Sequence, residues 1–279
     1  MLILHCLTCR YGGYSRVAVK TALVLSAGGM FGAYQAGAWR ELSTWFQPDL
    51  VVGTSAGALN GWLIAGGCTT EELIDLWTDP ATAAFLKLRP PLQRWRGYFD
   101  ALTFCAGVQA LYARHRPRIP IGVVLTEVPR LVPRLFQNDE ITWQHLAAAC
   151  AIPLGLPPQR IGGRWYVDGG LLGALPLWPA PQMGATRAIA VNALPFLPSR
   201  LMRAGVGALR WVSPRLPPVG SLEVITIVPE GGLGTVSDAI RWSRDNILRL
   251  IERGSADARR VTAADWAGAI PLSAFYNSP

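Results

Sequence analysis

The sequence predicts an α/β domain in which a mainly parallel sheet lies between helical layers, a three-layer α/β/α sandwich. Short apolar runs alternate with stretches of helical periodicity, which is the pattern of consecutive β-α units. Glycine-rich turns join the first predicted strands to the helices that follow them. The chain has 279 residues, of which 51% are hydrophobic and only 16% charged. It can therefore bury a large core, and it does not have the composition of a disordered chain.

Two strand–turn–helix units open the domain. Ala22–Ser26 is a short apolar run before a glycine turn, which predicts a buried strand. Helical periodicity follows over Gly32–Phe46 and stops before Pro48. Asp49–Gly53 then predicts a second buried strand, and Ser55–Ala65 predicts a second helix that ends at a pair of glycines.

Later elements continue the alternation. A third helix is predicted over Glu71–Trp77, with Thr69 or Thr70 as its N-cap and a nearby glutamate to complete a capping box. Further strands are predicted at Ile121–Thr126, Ala188–Asn192 and Leu222–Val228, and further helices at Thr142–Ala151 and across Val236–Thr262.

Two segments, 85–118 and 196–220, do not fit the alternation. Both mix arginines with aromatic and large apolar residues. Such a composition suits a lid or an interfacial patch, because Trp and Arg are favoured at a lipid headgroup boundary. An ordinary solvated face over core contacts would have the same composition, so the two segments are candidate lids only.

Two charge-poor stretches could also be interpreted as membrane-spanning helices. No charged residue lies between Lys20 and Arg40, or between Asp49 and Glu71. Either stretch is long enough to cross a bilayer. Glycines and polar residues interrupt both, which favours buried strand–turn–helix units over membrane helices.

The chain start, the charge and the cysteines limit compartment and partners. Residues 1–19 lack the basic leader and cleavage site of a signal peptide, so we predict an N-terminal extension there and a single domain over 20–279.

The net charge of +8 comes almost wholly from arginine. Because no zinc-finger or RNA-binding signature accompanies it, we expect no nucleic acid partner. Five scattered cysteines indicate a reducing compartment. We expect a cytoplasmic protein, with any membrane contact at the periphery.

Neither a metal ion nor another cofactor is expected from the sequence. Cys6 and Cys9 form a C-x-x-C pair, but no second pair accompanies them to complete a metal site. The histidines are scattered, and no cluster of carboxylates stands out that would bind calcium.

The first motif that carries chemistry is G-x-S-x-G, formed by Gly53, Thr54, Ser55, Ala56 and Gly57. It lies between a predicted strand and a predicted helix, which is the context that a nucleophile elbow requires. The serine then lies on a tight turn, and the flanking glycines let strand and helix approach each other. The N-terminus of the helix favours negative charge at that position. Ser55 is therefore the candidate nucleophile.

The second motif is a glycine-rich loop at the end of the first predicted strand, with the sequence Ala27-Gly28-Gly29-Met30-Phe31-Gly32. Such a loop can turn backbone N–H groups toward an anion, either a phosphate or the oxyanion of an acyl-transfer intermediate. A dinucleotide-binding loop is the competing interpretation. The glycine pattern is imperfect for it, and Asp49 opens the second strand where a ribose-binding acid should end it.

The third motif is D-G-G at Asp168, Gly169 and Gly170. By itself this pattern is typical of a turn. Its importance comes from Ser55, because a serine nucleophile needs a base to accept its proton.

The histidines are poor candidates for that base. His5 precedes the serine, His115 lies among arginines that disfavour a second cation, and His145 falls in an apolar helix. A serine–aspartate dyad needs no histidine. An aspartate in a partly apolar site has a raised pKa and becomes a better base, so Asp168 is the candidate.

Together and in this order, the motifs resemble those of the patatin-like phospholipase family. The matching stretches within residues 21–195 are SAGGMFGAYQAG, VVGTSAGALNG and GGRWYVDGGLLGALP. The resemblance implies an α/β/α fold and a Ser–Asp dyad that acts on acyl lipids or simple esters. It implies that Ser55 is the nucleophile, that Asp168 is the general base and that the N–H groups of Gly28, Gly29 and Met30 form the oxyanion hole, supported by Gly32, Gly53, Gly57, Gly169 and Gly170.

Four residues depart from the usual pattern of that family. Ala27 replaces the first glycine of the loop, Phe31 replaces a basic residue, and Gly173–Ala174 replaces a polar pair. The apolar Phe31 predicts a substrate without a charged headgroup. We expect a carboxylic ester hydrolase of the carboxylesterase, lysophospholipase or phospholipase A type. A catalytically weak lipid-binding protein is the alternative.

Overall fold

The computed structural model describes residues 19–85, 98–153, 155–196 and 200–267. Apart from its last residue, the predicted extension at 1–19 lies outside the described residues, and so do His5, Cys6 and Cys9. Residues 86–97 of the first candidate lid also lie outside them.

The strands of the described chain form one sheet. They are β1 Thr21–Leu25, β2 Leu50–Gly53, β3 Ile121–Val128, β4 Val132–Gln137, β5 Gln159–Ile161, β6 Arg164–Asp168, β7 Arg187–Val191 and β8 Glu223–Ile227. Hydrogen-bonded neighbours follow the order β5-β6-β3-β2-β1-β7-β8, and β4 also pairs with β3. The pairs within β3-β2-β1-β7-β8 are parallel, whereas β4, β5 and β6 are antiparallel to their neighbours. The sheet is therefore mainly parallel, as predicted.

Helices alternate with these strands. They are α1 Gly32–Leu42, α2 Ala56–Ala65, α3 Thr70–Thr78, α4 Pro80–Phe85, α5 Ala101–Arg114, α6 Trp143–Ala149, α7 Pro179–Gln182, α8 Arg200–Val212, α9 Val236–Ile240, α10 Arg244–Ala258 and α11 Ala263–Ala267. The predicted cap of the third helix is confirmed: Thr69 and Glu72 form a capping box at the start of α3.

The core lies on both faces of the sheet, because alternate side chains of a strand point in opposite directions. Leu23 and Val51 face the larger cluster, together with side chains of α1, α2, α5, α6 and α10. Val24 and Val52 face a smaller cluster with α7 and the residues around it. The strands are thus buried on both faces, which explains their continuous apolar runs. The predicted three-layer α/β/α class is confirmed.

The predicted elements are present with four differences. First, α1 ends at Leu42, earlier than predicted, because the chain turns before Phe46. Second, the helix predicted across Val236–Thr262 is divided into α9 and α10, because Arg241 has extended backbone angles. Third, β4, β5 and β6 were not predicted, since they are short, partly exposed and contain charged residues. Fourth, the helices α4, α5, α7, α8 and α11 were not predicted.

The two charge-poor stretches form the buried units β1-turn-α1 and β2-turn-α2, as predicted. Within the described ranges, no helix is long and apolar enough to cross a membrane. The candidate lids contain α5 and α8 respectively. Their role as lids, and the single-domain boundary, stay predictions.

Candidate active site

Ser55 lies at the turn between β2 and α2. Its backbone has φ 55° and ψ −133°, a conformation that a residue other than glycine adopts only where the surrounding structure holds it. The turn is tight, because a Cβ atom at Gly53 would lie 2.2 Å from the Gly57 carbonyl oxygen. A Cβ atom at Gly57 would lie 2.5 Å from the Leu25 carbonyl oxygen. Ser55 is also the N-cap of α2, so it lies at the positive end of that helix dipole.

Asp168 meets Ser55 because two strands share one edge of β3. β4 pairs along one edge of β3. The opposite edge of β3 pairs first with β2 and then, further along the strand, with β6. Gly53 of β2 pairs with Val123, and Asp168 of β6 pairs with Leu125. β2 and β6 run in opposite directions, so their last residues approach each other head-on. The buried side chains of Ser55 and Asp168 therefore lie near each other, and their interaction lowers the pKa of Asp168.

The surroundings of Asp168 are apolar apart from a few donors. Gly170 N–H donates to Oδ1 at 2.7 Å, and Thr54 Oγ1 lies 3.5 Å from the same atom. Asp168 is only 4% exposed. Burial raises the pKa of its carboxyl to about 6, and interactions with the Ser55 hydroxyl, the Gly170 N–H and the Thr54 hydroxyl limit the rise. The group is therefore ionised at neutral pH and is a stronger base than an ordinary carboxylate.

The glycine loop places the start of a helical turn beside Ser55. A 3-10 turn over Gly29–Phe31 leads into α1, and Phe31 N–H donates to Gly28 O at 3.0 Å. The N–H groups of Gly29 and Met30 precede this first bond, so the turn itself does not use them. Gly29 has φ 57°, and a Cβ atom there would lie 2.3 Å from the Ala239 carbonyl oxygen. Gly29, Met30 and Ser55 line one cavity.

The remaining motif glycines lie where backbone or side chains approach closely. A Cβ atom at Gly169 would lie 2.3 Å from the Val124 carbonyl oxygen, and one at Gly32 would lie 2.6 Å from the Trp77 ring. A Cβ atom at Gly170 would lie 2.7 Å from the Ala27 methyl group. The extra methyl of Ala27 therefore fills the space above the D-G-G motif.

Phe31 lies in the hydrophobic core and is 2% exposed. Ser55 lies in the wall of one apolar cavity, and a second apolar cavity adjoins it. Phe31 lines neither of them. It is therefore not positioned to select a headgroup, and the prediction of a neutral substrate loses its structural basis.

Two adjoining apolar cavities extend from Ser55 into the helical layer. The first has a volume of about 80 Å³ and contains Ser55 in its wall. The second has a volume of about 100 Å³ and lies between α2, α3 and α5. Both are bounded by the same side chains, those of Met30, Leu59, Trp77 and Phe104. The two cavities are therefore neighbours across a thin apolar boundary.

A buried chain of polar side chains braces the glycine loop, and the sequence motifs did not reveal it. Gln35 Nε2 donates to Ser26 O at 2.7 Å. Asn60 Nδ2 donates to Gly32 O at 2.9 Å and to Gln35 Oε1 at 3.0 Å. Trp77 Nε1 donates to Asn60 Oδ1 at 2.9 Å. The signal was present in the sequence, because Gln35 and Asn60 are polar residues inside otherwise apolar, uncharged stretches.

The two described histidines do not take part in this site. His115 is the C-cap of α5, and burial and Arg114 lower the pKa of its ring. His145 is buried in α6, where its Nδ1 accepts from Thr142 N–H at 3.0 Å and burial lowers its pKa to about 4. Neither histidine lines the two cavities beside Ser55.

The nucleotide-binding alternative is not supported by the position of Asp49. Its Oδ2 accepts hydrogen bonds from Thr21 N and Oγ1 at 2.7 and 2.9 Å, at the start of β1. The glycine loop lies at the other end of that strand, so this carboxylate cannot reach a ligand bound there. In the part of the chain that the structure describes, no group of at least three His, Cys, Asp or Glu side chains could hold a metal ion.

Fold and site define an α/β protein with a buried serine at a strand–helix elbow and a buried aspartate near it. The family model described as Patatin-like phospholipase matches residues 23–181. The chain belongs to the patatin-like phospholipase family.

Curated relatives carry the same family name. The rat (Rattus norvegicus) protein named patatin-like phospholipase domain-containing protein 7 is 26% identical over 200 residues, and its mouse (Mus musculus) counterpart is 25% identical over 197 residues. Each match covers 66% of this chain, which spans only 14% of the length of either relative.

Two solved structures are similar in fold. VipD from Legionella pneumophila superposes with a TM-score of 0.48 and 12% identity, over 87% of this chain and 66% of that one. The type III effector protein ExoU superposes with a TM-score of 0.37 and 13% identity, over 87% of this chain and 53% of that one.

Proposed function

We propose that the protein is a serine hydrolase that cleaves carboxylic esters of acyl lipids or simple esters, with Ser55 as nucleophile and Asp168 as general base. The observation that carries the proposal is the meeting of these two buried side chains where β2 and β6 end, in a site where burial raises the pKa of the aspartate. Membership of the family supports lipid hydrolysis in general terms.

In the acylation step, Asp168 accepts the proton of the Ser55 hydroxyl while Oγ bonds to the ester carbonyl carbon. The carbonyl electron pair moves to oxygen, and the N–H groups of Gly28, Gly29 and Met30 stabilise that oxyanion. When the carbonyl re-forms, the ester C–O bond breaks, and the leaving alcohol takes the proton from Asp168. An acyl-enzyme on Ser55 remains.

In the deacylation step, Asp168 accepts a proton from a water molecule, whose oxygen attacks the acyl carbon. The same backbone donors stabilise the second oxyanion. Collapse of that intermediate breaks the bond to Ser55 Oγ, which recovers its proton from Asp168, and the carboxylic acid leaves. No metal or other cofactor is needed in either step.

The apolar cavities support an acyl chain as the group bound next to Ser55. The first cavity starts at the nucleophile, and the second continues behind Trp77 and Phe104. Transfer of each methylene from water into such a lining contributes about 0.8 kcal/mol. The cavities therefore favour esters with an extended acyl chain over acetate esters.

The experiment that tests the proposal is hydrolysis of p-nitrophenyl esters from short to long acyl chains. The wild type should turn them over and should prefer chains longer than acetate. Ser55→Ala should abolish turnover, and an organophosphonate probe should add one adduct to Ser55 in the wild type only. Turnover that survives in Ser55→Ala would refute the assignment of the nucleophile.

A catalytically weak lipid-binding protein is the second candidate, motivated by Ala27 at the first loop position. Because the Ala27 methyl group lies against Gly170, we expect Ala27→Gly to change kcat by less than about tenfold, far below the contribution of an oxyanion donor. An increase larger than that would favour the weak-binder alternative.

Peripheral contact with a lipid surface belongs to the same proposal. Exposed apolar side chains lie around the first cavity: Ile152 is in its lining, and Tyr98 and Leu102 flank the lining residue Phe99 along the chain. Leu102→Asp should reduce co-flotation with lipid vesicles. Trp165→Asp, on the β5–β6 hairpin, is the matched control and should not reduce it. If both variants float with vesicles to the same extent as the wild type, this contact is contradicted.

A further inference from the structure

One aromatic side chain, that of Trp77, lies between the two apolar cavities beside Ser55. We call the cavity that contains Ser55 in its wall the outer cavity, and the one between α2, α3 and α5 the inner cavity. Trp77 lines both of them, together with Met30, Leu59 and Phe104. An acyl chain that enters from Ser55 therefore meets this boundary before it reaches the inner cavity.

The indole of Trp77 is held in place from several sides. Its Nε1 donates to Asn60 Oδ1 at 2.9 Å, and the Trp242 indole N–H donates to the Trp77 carbonyl oxygen at 2.9 Å. Asn60 is only 1% exposed, and its amide also donates to Gly32 O and Gln35 Oε1, so it cannot turn away without breaking buried hydrogen bonds. The indole ring packs against Gly32, where a Cβ atom would lie 2.6 Å from it. Trp77 is therefore a fixed wall and not a side chain that swings aside.

The outer cavity is small for an acyl chain. Its volume of about 80 Å³ holds about three groups of the size of a water molecule, at roughly 30 Å³ each. A methylene group is of similar size. The inner cavity has a volume of about 100 Å³ and could hold about three more such groups if the wall were open. The wall thus decides whether the acyl site ends after a few carbons or continues between the helices.

We propose that Trp77 is the specificity-determining residue for acyl-chain length, because it ends the acyl site at the outer cavity. This inference rests on the proposed function and names its substrate class, which is esters of short acyl chains of about four carbons. A longer chain gains no further burial at Trp77, and its remaining carbons must lie outside the outer cavity. Both linings are mainly apolar, so the position of the wall, and not the polarity of the lining, separates short chains from long ones.

Hydrolysis of p-nitrophenyl esters from acetate to laurate tests the inference. In the wild type, kcat/KM should rise about fourfold for each added methylene up to about butyrate, and should then stop rising. Trp77→Ala joins the two cavities, so the ratio of kcat/KM for the octanoate ester over the butyrate ester should rise about tenfold or more. A wild-type profile that rises unbroken from acetate to octanoate overturns the inference.

Two further variants examine the same boundary without depending on Trp77→Ala alone. Phe104→Ala opens the boundary from α5 and leaves the hydrogen bond between Trp77 and Asn60 in place, so it should raise the same ratio. Val108 lines the inner cavity only. Adding Val108→Phe to Trp77→Ala fills the inner cavity and should return the ratio toward the wild-type value.

Leu250→Ala on α10 is the matched control. It truncates a buried side chain of the same core cluster that lines neither cavity, so it should leave the ratio unchanged. A ratio that rises as much in Leu250→Ala as in Trp77→Ala overturns the inference while hydrolysis itself stands. A ratio that keeps its wild-type value in both Trp77→Ala and Phe104→Ala does the same.

Binding of fatty acids to the Ser55→Ala protein tests the wall without hydrolysis. In titration calorimetry with the acids from acetate to decanoate, the affinity should stop rising at about butyrate, as the volume of the outer cavity predicts. When Trp77→Ala is added, the affinity should continue to rise up to octanoate. The same dependence on chain length in both proteins overturns the inference. If the wild type hydrolyses no ester, the proposed function fails, and this titration still decides whether Trp77 ends the cavity.

Discussion

Asp168 and Glu127 are both buried carboxylates, and they lie on paired strands only two register positions apart. In the β3–β6 ladder, Leu125 pairs with Asp168 and Glu127 pairs with Tyr166. The two side chains belong to residues that are 4% and 2% exposed, respectively. Burial by itself opposes ionisation of both.

Their partners differ. Glu127 has Arg134 Nε at 2.8 Å, Arg164 Nη1 at 2.9 Å and Arg130 Nη1 at 3.4 Å. Although burial opposes it, hydrogen bonds from Arg164 and Arg134 hold the pKa of Glu127 below its ordinary value. Asp168 instead receives hydroxyl and backbone N–H donors, and its pKa is raised to about 6. A buried carboxylate is thus available as a base where uncharged donors surround it, and is a fixed anion where arginines do.

The largest expected effect is on catalysis and separates the two carboxylates. Asp168→Asn should lower kcat for a p-nitrophenyl ester about 10³- to 10⁴-fold, because the proton of Ser55 then has no acceptor of sufficient basicity. Glu127→Gln should stay within about threefold of the wild type, as expected for a residue remote from the chemistry. Steady-state kinetics on the purified variants measure both. Equal losses in the two variants would erase the distinction.

A smaller effect, in the opposite direction, is expected on the stability of Asp168→Asn. Because the pKa of Asp168 is raised in the folded protein, its ionised form destabilises the fold. This destabilisation is absent below the ordinary pKa of aspartate and is complete once the pH has risen through about 6. Asparagine keeps the acceptor for Gly170 N–H without the charge. At pH 8 the variant should be more stable by up to about 3 kcal/mol.

Denaturant unfolding of the two proteins at pH 8 and pH 5 measures this difference. The gain in the free energy of unfolding should shrink at the lower pH, where the wild-type carboxyl is protonated in the folded state. A variant that is less stable than the wild type at pH 8 would contradict the raised pKa.

The smallest expected effect is the loss of stability in Glu127→Gln. Because the three arginines are 44% to 74% exposed, solvent screens their interaction with the carboxylate. We expect a loss of about 1 to 2 kcal/mol at pH 7, less than for a fully buried ion pair. Because the pKa of Glu127 is lowered in the folded protein, its carboxylate stabilises the fold at pH values above the ordinary pKa of glutamate. This stabilisation is lost as the pH falls through the folded-state pKa.

Thermal unfolding at pH 7 and pH 3 checks this prediction, with Arg244→Gln as an exposed-arginine control. The deficit of Glu127→Gln should be present at the higher pH and should fade at the lower one. A deficit that does not depend on pH would mean that shape, and not charge, makes Glu127 important.

The difference between the two carboxylates also shows which parts of the site could be predicted from the sequence. Ser55 and Asp168 could be proposed as site residues from the sequence, because their neighbours are glycines that local turn geometry demands. The surroundings of Glu127 were not predictable, because its arginines come from β4, β6 and the turn between β3 and β4. The strands β4 and β6 are short and contain charged residues, so the sequence does not show that they flank Glu127. Gln35 and Asn60 were visible as polar residues in apolar stretches, but only packing reveals that they meet.

The most direct test of the central claim is the pH dependence of kcat/KM for one p-nitrophenyl ester in the wild type and in Glu127→Gln. Both should lose activity as the pH falls through about 6, the pKa to which burial raises Asp168. The activity that remains in Asp168→Asn should lack this limb. A limb that persists unchanged in Asp168→Asn, or one that shifts in Glu127→Gln alone, would show that Asp168 is not the base.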